Sequence, residues 1–289
     1  DPASNPFAAA NTPTLDALAN GQHWLAATGR QQSGRAMFVP TDPRMGVPGK
    51  PQSGSGQATI LTGRNVPALI GEHYGPRPSP AIRKLLAEDN FYKQVVAHGM
   101  TAALLEAYPP GWHQAVDRGK RLRASYQEAP HVAGLPTFTE REIYSGDALA
   151  VDWTGEGWRS QLGYTDSPVY TPYEAGIKMV ELSRRYHFSF FANWVTDMIG
   201  HRGSLADGVQ VLDLFDGVMR GALDVWHDDE GLMVITSDHG NLEDLSHGKH
   251  TENDVPTVII GDSKEAFAEG LQTLADITPR MAAYLFDQA

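Results

Sequence analysis

The stretch TSDHGNLEDLSHGKHTENDVP, Thr236 to Pro256, begins where the apolar run Leu232-Met233-Val234-Ile235 ends, and it sets His239, His247 and His250 among acidic side chains. A short apolar run of this kind reads as a strand, and the carboxyl end of a strand in an open α/β sheet is where such folds place their chemistry. Asp238 and His239 would stand at that end, and His250 would arrive on the following loop as a further nitrogen ligand. The same residues also fit a turn with a capping aspartate and loop histidines in water. Only convergence with other segments decides between the two.

Two segments offer that convergence. FFANWVTDMIGHRG, Phe190 to Gly203, is again an apolar, strand-like run followed by acidic and imidazole groups, Asp197 and His201 at i, i+4. If a helix starts after Val195, the two side chains share one face and can hold one ion. Read as structure alone, Asp197 is a helix cap and His201 a surface residue. PQSGSGQATILTGRN, Pro51 to Asn65, crowds small residues around Ser53 ahead of a helix-compatible run. A serine at a helix start sits over the positive end of the helix dipole, which favours a phosphoryl group or an alkoxide there. A plain cap with a flexible Gly/Ser loop fits as well.

Taken together, these segments resemble the alkaline phosphatase superfamily of two-metal enzymes, and within it the cofactor-independent phosphoglycerate mutase and phosphopentomutase branch. Pro51-Gln52-Ser53 with Thr62-Gly63 is similar to the Pro-Asp-Ser…Thr-Gly nucleophile segment, and Ser53-x-x-Gly56-Gln57 to a Ser-x-x-Gly-His motif. Both alignments choose Ser53; Ser55 is one step off each. Asp197-Met-Ile-Gly-His201 resembles Asp-x-x-Gly-His, Asp238-His239-Gly240-Asn241 an Asp-His-Gly-Asn element, and His250 to Pro256 a His-Thr-x-Asn-x-Val-Pro element. Ala275-Asp276-Ile277-Thr278-Pro279 is similar to a closing Asp-Ile-x-Pro. The resemblance implies a first ion on Asp197, His201 and His250, and a second on Asp238, His239 and the nucleophile Ser53. His247, His113, His131 and His227 are expected outside the catalytic machinery. The family also opens with a strand ending in Asp-Gly whose aspartate joins the second ion. The opening here, DPASNPFAAANTPTLDALANG, does not show it, and an upstream strand is the expectation.

Composition is consistent with a soluble enzyme and narrows little else: 289 residues, enough for a large core and more natural as one α/β domain with an insertion than as several domains, with 23 basic against 35 acidic residues and net charge -12. That balance disfavours a general nucleic-acid surface. No apolar run is long enough to span a membrane, and a cytoplasmic location is expected. With no cysteine, disulfides and thiolate metal sites are excluded, so ligands are His, Asp and hydroxyl oxygen, a set that suits Zn2+ or Mn2+.

Along the chain, helices are expected over 14–27, 80–98, 173–185 and 205–226, with strands over 101–106, 187–195, 232–236 and in VPTVIIG. There are no obvious internal repeats. The expected architecture is an alkaline-phosphatase-like three-layer sandwich with a mostly parallel central sheet. Its core comprises 1–108 and 170–289, and a small cap or elaborated loop occupies 109–169, where Gly, Pro, Trp and Tyr alternate with basic residues. The segment between Ser53 and Asp197 is short for a second substrate domain, and Gln57 replaces the motif's histidine. The resemblance therefore implies a phosphomonoester hydrolase working through a phosphoserine on a small phosphorylated metabolite. A phosphoglycerate- or sugar-type mutase, a phosphodiesterase or phosphonate hydrolase, and a catalytically impaired metal-binding relative are the alternatives. Arg64, His73, Arg77, Arg202 and Lys249 are candidates to hold substrate anions.

Overall fold

A computed structural model describes residues 1–286. Six strands fall into two sheets: β1 (Gln31–Gln32), β2 (Ala36–Thr41), β5 (Met233–Ile235) and β6 (Val255–Ile260) in the order β1-β2-β6-β5, and β3 (Ala102–Leu104) beside β4 (Phe188–Phe190). The expectation of a mostly parallel sheet is corrected in part. β6 runs antiparallel to both neighbours, with Phe38 opposite Val258 and Val234 opposite Ile259, and among the strands of the described residues only β3 and β4 pair in parallel. The physical reason is connectivity. The loop from β5 to β6 reverses the chain without a crossover helix, and a parallel pair requires a crossover.

β2 was not among the expected strands. Pro40 interrupts its apolar run, and β2 tolerates it while pairing with β6 from Ala36 to Thr41. Helices flank the sheets. Met37, Val39 and Ile259 pack under Phe267, Leu271 and Ile277, while Phe38, Val258 and Ile260 meet Leu15, Leu18, Trp24 and Met219. The expected long helix over 80–98 divides into Pro80–Glu88 and Phe91–Ala97, because Asn90 caps the second piece through Lys93 N at 3.2 Å. Residues 109–169 form four short helices, and the one over Ser125–Val132 packs on Ser53–Thr62, Pro80–Glu88, Phe91–Ala97 and β3.

A cleft of about 1810 Å³ lies between the facing edges of β4 and β5. β5 is apolar and β4 carries Phe188 and Phe190 about Ser189, yet every position of each is only half-buried. Phe188, Phe190, Met233 and Ile235 line the cleft, and Ser53, Asp197, Asp238 and His239 stand with them on the same lining. Asp1, Ser4 and Asn5 line it too. No helix among the described residues is long and apolar enough to cross a membrane.

Candidate metal centre

Three chain segments bring the centre together, and each does so for a local reason. The helix Ser53–Thr62 begins at Ser53 itself, and Gly63 ends it with a left-handed φ of 66° while packing on Pro279. The helix Val195–Arg202 carries Asp197 and His201 on one face, and the turn after β5 carries Asp238 and His239. An isolated bridge, Gly240 to Thr251, then folds the loop back so that His250 returns to the same point.

The side chains converge on Asp197. Its Oδ1 lies 3.4 Å from His201 Nε2, 3.4 Å from His250 Nε2 and 3.7 Å from His239 Nε2. His250 Nε2 and His201 Nε2 are 3.2 Å apart, and the rings of His239 and His250 stack with centroids at 3.7 Å. Ser53 Oγ sits 2.9 Å from His239 Nε2, which is also 3.7 Å from Asp238 Oδ1. Ligand atoms of Asp197, His239 and His250 fall within 4.8 Å of one another.

The outer nitrogens are as ordered as the inner ones. His250 Nδ1 meets Pro51 O at 2.7 Å, His201 Nδ1 meets Gly248 O at 2.9 Å, and His239 Nδ1 faces Gly240 O at 3.4 Å. A carbonyl on Nδ1 fixes the tautomer and turns a lone pair on Nε2 inward, as imidazoles around a cation require. Burial works against charge on Asp197, but His250, His239, Asn241 and His201 outweigh it and hold its pKa down at about 2. Burial likewise opposes protonation of His250, while Asp197, the Pro51 carbonyl and Asp238 raise its pKa overall. An ionised carboxylate among converging imidazoles is a donor set that fits a divalent cation with nitrogen and oxygen ligands.

All six residues expected as ligands or nucleophile, Ser53, Asp197, His201, Asp238, His239 and His250, therefore stand in one cluster. Ser55 is turned away, donating from its main chain to Tyr74 O and from Oγ to Gln52 O. His247 lies aside, with Nε2 3.5 Å from Asp244. The candidate anion holders are scattered. Arg64 pairs with Glu88 at 3.0 Å, and His73 reaches Val47 O at 3.2 Å beside Lys50 and Gln52. Arg202 and Lys249 are exposed. Arg77 is half-buried next to the nucleophile loop: its carbonyl lies 3.0 Å from where a Cβ on Gly54 would be, and burial lowers its pKa.

Two further residues belong to the centre. Asn241 donates Nδ2 to Asp197 Oδ1 at 2.7 Å, and Gln57 donates Nε2 to Asp238 Oδ2 at 2.9 Å. Their positions inside the motifs hinted at the neighbourhood, but the partner of each comes from a different segment and no spacing reveals it.

Comparison with known proteins agrees with this geometry. Residues 163–287 match the model of the Metalloenzyme superfamily. The chain is similar to proteins named 2,3-bisphosphoglycerate-independent phosphoglycerate mutase. That of Methylobacillus flagellatus is 28% identical over 178 residues, 57% of this chain and 33% of the relative. That of Chromobacterium violaceum is 28% identical over 217 residues, 68% and 41%. The chain thus spans well under half the length of these relatives. Among solved structures, the PH0037 protein from Pyrococcus horikoshii superposes with a TM-score of 0.56 at 16% identity, covering 98% of this chain and 90% of that one.

Proposed function

We propose that this chain, whose residues 163–287 match the model of the Metalloenzyme superfamily, is a phosphomonoester hydrolase that passes the phosphoryl group through Ser53. The observation that carries this reading is the 2.9 Å contact between Ser53 Oγ and His239 Nε2, inside the cluster formed by Asp197, Asp238, His201 and His250. Two divalent ions, Zn2+ or Mn2+, would supply charge neutralisation for the phosphoryl group and favour the ionised serine oxygen. Asp197, His201 and His250 would hold one, and Asp238, His239 and Ser53 the other.

The chain's own contribution is placement. Ser53 opens a helix of ten residues, so its oxygen stands where the helix dipole favours negative charge. In the first half-reaction the Oγ–phosphorus bond forms as the ester oxygen–phosphorus bond breaks, and the departing oxygen takes up a proton. In the second, water attacks phosphorus, the Oγ–phosphorus bond breaks, and phosphate leaves. The cleft between β4 and β5 supports a further part of the reading: a strand lying there would cover the half-buried faces of Phe188, Phe190, Met233 and Ile235. It is the expected carrier of an additional aspartate for the second ion.

Mutase chemistry is the second reading, favoured by the names of the relatives. A substrate panel of sugar phosphates, phosphoglycerates, nucleotides, phosphodiesters and phosphonates, given to the full-length protein with Mn2+ or Zn2+, separates the two. Free phosphate from monoesters, lost in Ser53→Ala, supports hydrolysis; an isomerised product without free phosphate replaces it with mutase action.

A further inference from the structure

Gln57 and Ser53 are one turn apart on the helix Ser53–Thr62, so both side chains fall on one face, and both line the cleft. Gln57 Nε2 donates to Asp238 Oδ2 at 2.9 Å, while it is the other oxygen, Oδ1, that lies 3.7 Å from His239 Nε2. The far end of the amide is different. Gln57 Oε1 is buried and has no hydrogen-bond partner among the described residues. A buried acceptor left alone is unfavourable, because it has lost its water without gaining a donor. Turning the amide over would not relieve it, because its oxygen would then face a carboxylate that only accepts.

The backbone fixes this pairing. A Cβ on Gly56 would stand 2.5 Å from Asp238 O, so only glycine lets the helix meet the Asp238 turn so closely. Gln57 is thereby delivered to Asp238 by the fold and not by a flexible reach. A carboxylate with one oxygen accepting from a neutral donor keeps its second oxygen free of that hydrogen bond and is held in one orientation. Glutamine does this without adding charge and without titrating.

We infer that Gln57 is a positioning residue: by its contact with Oδ2 it holds Asp238 in the orientation in which it would bind a divalent cation, and it presents Oε1 as an acceptor for a hydroxyl or water proton beside Ser53. The inference rests on the metal-centre reading above, and its test separates the two. Full-length protein freed of metal is titrated calorimetrically with Mn2+ in the absence of substrate, as wild type, Gln57→Leu and Gln57→His. The leucine variant removes the donor at similar volume, and the histidine variant keeps an N–H.

Gln57→Leu should weaken one Mn2+ equivalent by about 10–100-fold, the usual effect of losing a partner that orients a ligand, and leave the other equivalent unchanged. Gln57→His should recover most of that loss. A role confined to folding would instead lower the melting temperature of the metal-free protein with Mn2+ affinity intact, and that result overturns the inference. So does wild-type affinity for both equivalents in Gln57→Leu. Wild-type protein that takes up no Mn2+ overturns the metal-centre reading together with this one.

Discussion

At Gly200 a missing side chain decides what Asn241 can reach. A Cβ there would stand 2.0 Å from Asn241 Oδ1, so the glycine is what admits the amide that donates to Asp197. In an isolated helix alanine would be favoured over glycine by about 1 kcal/mol. Here Gly200→Ala should displace Asn241 and reproduce Asn241→Ala, each weakening metal binding about 10–100-fold, as measured by Mn2+ titration. Glu106, which follows β3, makes a different kind of statement. It is fully buried with Oε2 unpartnered, and Tyr108 Oη approaches Oε1 only to 3.5 Å. Burial raises its pKa well above the usual 4.5, against weaker opposing help from the Ala192 amide and Tyr108. A raised carboxyl pKa contributes stability that is full below the unfolded value and is lost as pH rises toward the folded one. The loss runs at about 1.4 kcal/mol per pH unit while the unfolded chain is ionised and the folded chain is not. Glu106→Gln should remove that slope and stabilise the protein above about pH 4.5, the ordinary value of the group. Denaturant unfolding of both forms across pH 4–8 would show it. The candidate ligands were legible at this scale only through the resemblance of several motifs together, since Asp197 with His201, and Asp238 with His239, fit a cap and loop histidines as well when read by spacing alone. Asn241, Gln57 and Glu106 were not, because their roles depend on side chains brought in from other segments.

Among the elements, the helices 172–183 and 205–225 make the tightest approach. A Cβ on Gly176 would lie 1.9 Å from Val218 O, and one on Gly221 would lie 1.9 Å from Tyr173 O. Backbone meets backbone there, so a methyl group has no flexible neighbour to displace. Gly176→Ala or Gly221→Ala should each destabilise the protein by about 1–3 kcal/mol or more through overpacking, read as a lowered urea midpoint. Both helices were expected from the sequence, over 173–185 and 205–226, and the first is capped by Thr171 with Glu174, whose carboxylate accepts from Thr171 N at 2.8 Å. Strand pairing was less so. Val255–Ile260 reads as a strand, but nothing local says that it lies antiparallel between β2 and β5. Asn90 inside an apparently continuous helical pattern concealed a break, since its amide bonds Leu86 O at 2.8 Å and caps the next helix at once.

On the scale of the whole molecule, the net charge of -12 and the cluster around Asp197 make bound cations a stabilising influence. A ligand that binds only the folded state adds about 2.7 kcal/mol at a hundred times its dissociation constant. Saturating Mn2+ or Zn2+ should therefore raise the melting temperature, a chelator should reverse the rise, and Asp197→Asn should abolish most of it. The cleft beside β4 and β5 leaves both strands half-buried next to Ser53, Asp197, Asp238 and His239. Phosphoryl transfer through Ser53 is the activity proposed for this centre. Its most direct test is acid-quench mass spectrometry of the Ser53 peptide, taken from metal-loaded full-length protein during turnover of a phosphomonoester. The expected result is a phosphoryl group on Ser53 that requires the divalent ion and vanishes with a chelator. Sustained phosphate release by Ser53→Ala, with no phosphoryl group on Ser53 in the parent, would contradict it.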